Sequence, residues 1–128
     1  MAVTGMGGYF FRAKDPQKLK AWYRDNLGVG GGCGTDEKGE SNEWVWFTQA
    51  GPMVFEPFKE NSDYFPAEKQ AMVNFRVSDL DELLARLRTA GIEITREETM
   101  DGVGRFARVH DPEGNPIELW EPQQQPAT

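Results

Sequence analysis

A stretch near the start of the chain returns 64 residues later, at half of the 128-residue length. Phe11, Arg12, Asp15, Leu19, Ala21 and Arg24 fall on Phe75, Arg76, Asp79, Leu83, Ala85 and Arg88. Six identities within fourteen positions constrain the fold more than any single motif does. A duplicated unit has to form one supersecondary structure twice and bury an apolar face against its copy.

The order of elements repeats with the residues. Residues 8–14 suit a short strand, after which Asp15-Pro16 supplies an N-cap acid and a proline for the first helical position. Leu19, Trp22, Tyr23 and Leu27 then recur at helical spacing until the glycines of 28–34 stop the helix. That glycine run follows a helix and lacks a closing Gly-Lys-Ser/Thr, so it reads as a loop, not a phosphate cradle. Strands are expected over 43–49 and 52–58. In the second half, 72–77 is a strand and Asp79 caps a helix carrying Leu80, Leu83, Leu84 and Leu87. A strand over 92–95 follows, then a charged loop over 96–104. A hairpin closes the pattern, with strands 105–110 and 116–121 about the turn Asp111-Pro112-Glu113-Gly114, where Pro112 presets its φ and Gly114 takes a positive one.

The expectation is one α+β domain over 1–128, built from two βαβββ modules with pseudo-two-fold symmetry. Module one covers about 5–60, a linker about 60–70, and module two about 71–122. Side-chain parity predicts how the strands face. Odd positions such as Phe11, Met53, Phe55, Val73, Phe75, Ile117 and Leu119 are apolar and suit burial against the helices. Even positions then point the other way and enclose an open curved barrel or cup. They include Gly8, Phe10, Arg12, Val54, Glu56, Met72, Asn74, Arg76, Glu118 and Trp120. An apolar wall with few polar groups is the make-up of a small-molecule site.

Composition narrows the partners. A net charge of −7 argues against nucleic acid and anionic membranes. The single cysteine, Cys33, excludes an intrachain disulfide and a cysteine-based zinc site. No apolar run is long enough to span a bilayer, so a cytoplasmic location is expected.

The segments FRAKDPQKLKAWYRDNLGV, NFRVSDLDELLARLRTAGIEI and ARVHDPEGNPIELWEP, in this paired order, resemble the vicinal oxygen chelate superfamily. It includes glyoxalase I, bleomycin-resistance proteins and extradiol dioxygenases. The resemblance implies a ligand cup between the modules, a homodimer, and either lyase or isomerase chemistry or the binding of a drug or aromatic compound. In metal-using members, each module gives a ligand from its first strand and one from its last. Glu118 matches the last-strand position, and Glu56 is its counterpart in the first module, although the 64-residue offset points to Val54. The first-strand positions fall on Gly8 and Met72. Glycine has no side chain, and a thioether is a poor ligand for hard divalent ions. The cofactor expectation is therefore none, or a weakly held divalent metal on Glu118 and Glu56.

Glu118 has three readings: metal ligand, catalytic base, or partner of Arg12 or Arg76 in an internal ion pair. Ligand count and softness favour ion pairing or contact with a bound molecule over metal ligation. Arg12 and Arg76 offer forks for an anionic group, and Phe10, Asn74 and Trp120 complete the substrate-binding candidates. His110, the only histidine, stands at a strand end before the turn and reads as structural.

Overall fold

The computed structural model describes residues 2–123. Two helices pack on one face of a single four-stranded sheet. Helix α1 is Pro16–Leu27, strand β1 is Val73–Arg76 and helix α2 is Leu80–Thr89. Strands β2, β3 and β4 are Arg96–Met100, Gly104–His110 and Pro116–Pro122. The sheet order is β1-β4-β3-β2, with β1 parallel to β4 and the other pairs antiparallel. The architecture is α+β, and the sheet is open, not closed into a barrel.

The helices start where their caps place them. The Asp15 carboxylate accepts from the Lys18 N–H and Asp79 from the Glu82 N–H, so the repeat preserves the cap as well as its letters. At the end of α1, Gly28 adopts φ 66° and its N–H bonds back to the Arg24 carbonyl, a left-handed stop that favours glycine. Leu19 and Tyr23 on α1 meet Leu80, Leu84 and Leu87 on α2 above Ala107, Val109, Ile117 and Leu119 of the sheet. Each fully buried leucine or isoleucine there contributes about 2 kcal/mol by leaving water. The odd-parity expectation therefore holds for Ile117 and Leu119, and β3 extends the same face with Ala107 and Val109.

Several segments differ from expectation. Strand β2 lies within the segment predicted as a charged loop. All five of its residues, Arg-Glu-Glu-Thr-Met, are exposed, so no buried alternation marks it. It is an edge strand, where charge deters further pairing. The segments 8–14, 43–49, 52–58 and 92–95 form no strands, and an isolated Asn42–Val45 bridge is the one pairing that touches them. Pro52 and Pro57 remove two ladder donors from 52–58, and Gly8 weakens 8–14. Arg76 on β1 instead donates its guanidinium to the carbonyls of Pro52 and Gln49, at 2.6 and 3.0 Å. Finally, Phe10, Met53, Val54 and Phe55 are exposed, so the parity argument does not apply to the first half. Among the described residues no helix is long and apolar enough to cross a membrane.

Candidate functional site

The sheet face opposite the helices carries an uninterrupted polar row. Register aligns Asn74 on β1 with Glu118 on β4, Glu118 with Arg108 on β3, and Arg108 with Arg96 on β2. Side chains in register across neighbouring strands share a face, so these four stand side by side. The next row holds Arg76, Trp120, Phe106 and Glu98. There the Trp120 and Phe106 rings stack at 6.2 Å with their planes 6° apart, and the indole N–H donates to the Val103 carbonyl at 3.0 Å.

Glu118 is buried within the first row. Its Oε1 accepts from the Asn74 amide at 2.8 Å, and its Oε2 accepts from the Tyr64 hydroxyl. The Arg108 Nη2 lies 4.0 Å from Oε2. Tyr64 arrives from the connection 59–70, which crosses this face as a strap. Its ring lies 4.9 Å from the Arg96 guanidinium and 5.0 Å from that of Arg108. Arg108 Nη2 also donates to the Tyr64 carbonyl at 3.1 Å. Among the described residues, nothing accepts a hydrogen bond from the buried Arg108 Nε. Burial and the adjacent Glu118 carboxylate raise the Tyr64 phenol above its ordinary pKa, so it remains a protonated donor.

The strap is tied at both ends. Phe58 packs on Tyr64 and on Phe65, and Lys69 donates to the Asn115 side chain at 3.2 Å. Beside it lies a broad, open depression of about 450 Å³, lined by residues 61–67 together with Arg108 and His110. His110 also borders a smaller cavity of about 280 Å³, beside Trp22 and Asp111 on the outer side of the turn.

The structure brings Asn74 and Glu118 together, with Trp120 one row away. Arg76 lies in Trp120's row, but its guanidinium is committed to backbone carbonyls. Arg12 is exposed and Phe10 is 93% exposed, both on the segment before α1. Glu56 is exposed too. The cation facing Glu118 is thus Arg108, and neither Arg12 nor Arg76 fills that place.

Arg108 and Tyr64 were not singled out from the sequence. Extending even parity to 105–110 would have put Arg108 opposite Glu118. Nothing periodic marks Tyr64, which sits in a polar connection where side-chain direction is unreadable.

A family profile for the Glyoxalase/Bleomycin resistance protein/Dioxygenase superfamily matches residues 5–119. The chain belongs to this superfamily. Among solved structures, it is 23% identical to TnmS3, an antibiotic binding protein from Streptomyces sp. CB03234, with a TM-score of 0.60, covering 96% of this chain and 99% of that one. It is 17% identical to a lactoylglutathione lyase from Agrobacterium tumefaciens, with a TM-score of 0.59 and coverage of 94% and 96%. A superfamily domain from Frankia sp. EAN1pec gives 18%, a TM-score of 0.58, and coverage of 95% and 100%. At these identities the likeness is one of fold. No curated protein matches the chain.

The residues do not fit the metal centre that some superfamily members hold. Both Glu118 oxygens accept hydrogen bonds from neutral donors, and Gly8 and Met72, which the resemblance matches to ligand positions, lie outside the strands. Among the described residues, no three His, Cys, Asp or Glu side chains cluster as a metal set.

Proposed function

We propose that this chain is a metal-independent binding protein for a small aromatic compound, held on the sheet face around Glu118, Arg108 and Trp120. The observation that carries this reading is the commitment of Glu118. A carboxylate in the last-strand ligand position here serves a tyrosine, an asparagine and an arginine. Aromatic rings and guanidinium planes beside it favour a planar ligand through stacking and cation–π attraction. The fold is one that an antibiotic binding protein also uses.

A lyase or isomerase is the second reading, favoured by the Tyr64–Glu118 pair, since a phenol and a carboxylate sharing a hydrogen bond can pass a proton to a bound substrate. A homodimer is proposed from the exposed apolar side chains of the first half. A cytoplasmic location is proposed, and the lone Cys33 is compatible with its reducing conditions.

The test combines metal analysis with a binding screen. Protein purified without chelator is titrated with Mg²⁺, Mn²⁺, Ni²⁺ and Zn²⁺, then screened against aromatic compounds by tryptophan emission, with Trp120→Phe as the control. Binding of compounds without metal is expected. Stoichiometric metal binding that Glu118→Gln abolishes would overturn the metal-independent reading.

A further inference from the structure

We infer that the space between Arg96, Arg108 and Glu118 is a subsite for a neutral hydroxyaryl group, and that Tyr64 fills it as the chain's own competitor. This rests on the binding reading above and names the ligand class.

Tyr64 makes the contacts that such a ligand would make. Its ring is close to two guanidinium planes, at 4.9 and 5.0 Å, and its hydroxyl donates to the Glu118 carboxylate. The groups around this position define what it accepts. Glu118 comes from β4, Asn74 from β1, Arg108 from β3 and Arg96 from β2. An ionised carboxylate can only accept a hydrogen bond, so the guest must bring a donor. Two cations over the ring reward an electron-rich aromatic face. A phenol meets both demands, whereas an aryl ether meets only the second.

The occupant is held in a way that allows exchange. No residue of the strap belongs to a strand. Tyr64 reaches the sheet through its ring, its hydroxyl and the one carbonyl that accepts from Arg108. The ring and hydroxyl contacts can all be remade by a guest phenol, which leaves the Arg108 bond to the Tyr64 carbonyl as the sheet contact that the guest does not replace. A second observation marks the place as a binding site. The Arg108 side chain is 8% exposed, yet its Nε has no partner among the described residues. A buried guanidinium with an open donor is costly unless something accepts from it. The residue lines the open depression of about 450 Å³ beside the strap, where substituents beyond the first ring would lie.

The probe is 2-naphthol, with 2-methoxynaphthalene as its non-donating control. In the unaltered protein carrying ¹³C-labelled tyrosine, 2-naphthol should move the Tyr64 Cζ resonance towards its solvent-exposed position. The methyl ether should bind at least about tenfold more weakly, because it strands the buried Glu118 oxygen. Tyr64→Ala, checked for native folding by near-ultraviolet circular dichroism, should bind 2-naphthol about tenfold or more tightly, because the competing occupant is gone. The inference is overturned if 2-naphthol binds without moving Tyr64, if the ether binds equally well, or if neither protein binds 2-naphthol. Where other aromatic compounds still bind in those cases, the binding reading survives and only the Tyr64 subsite is lost. Where no aromatic compound binds at all, both fall.

Discussion

The Tyr23 hydroxyl donates to the Asp111 carboxylate at 2.7 Å, joining helix α1 to a turn 88 residues away. Asp111 also accepts from the backbone N–H groups of Glu113 and Asn115 and from the Asn115 amide. The neighbouring Glu113 carboxylate accepts from the N–H groups of Lys14 and Asp15, at the entrance to α1. The turn is thus the clamp that holds the first helix to the second half. Tyr23→Phe removes one donor while three remain, and should cost about 1–2 kcal/mol in urea unfolding. Asp111→Ala strands all four donors and should cost more than twice as much. Equal costs would show that the other three bonds contribute nothing.

The same pair sets a pH dependence. Burial, with Asp111 beside it, holds the Tyr23 phenol above its ordinary value near 10. Below that value both folded and unfolded chains keep the proton, and the stabilisation is present in full. Above it the unfolded chain releases the proton first, so stability falls as pH rises, by up to about 1.4 kcal/mol per pH unit. Urea midpoints should therefore fall as pH rises above about 10, and fall less steeply in Tyr23→Phe. Parallel curves for the two proteins would refute the assignment.

What was legible in the sequence was whatever local chemistry encodes. The duplicated Asp caps, the leucine spacing on α2 and the alternation of Ile117 and Leu119 each follow from a few neighbouring residues. They gave the helices, the hairpin and the core face. Strand β2 was hidden because an edge strand with five exposed residues carries no apolar period. The arginine facing Glu118 was hidden for a different reason. Arg12 and Arg76 stood out through the repeat, while Arg108 is unrepeated and becomes a neighbour only through the β3–β4 register. Tyr64 depends on the path of an irregular connection, which no periodicity records.

Arg108 and Glu118 should depend on each other for stability. Both are buried, and the guanidinium also holds the strap through the Tyr64 carbonyl. Arg108→Leu leaves a buried carboxylate without its cation and should cost about 3 kcal/mol. Combining it with Glu118→Leu removes the stranded charge and should recover at least about 1 kcal/mol. Additive losses in the double variant would mean that the 4.0 Å pair contributes no coupling. Both single variants should also lose affinity for aromatic compounds, which separates this pair from a purely structural one.

The exposed first half predicts self-association. Phe10 is 93% exposed, Phe55 82% and Trp44 78%, too many large rings to leave in water on a chain this short. A second copy could cover them, and light scattering at micromolar concentration should then give about twice the 14.5 kDa chain mass. Phe55 is outside the packed core, so Phe55→Asp should leave helix content unchanged while shifting the mass towards one chain. A single-chain mass for the unaltered protein at that concentration would defeat the dimer. A Phe55→Asp variant of undiminished mass would instead place the contact elsewhere on the surface.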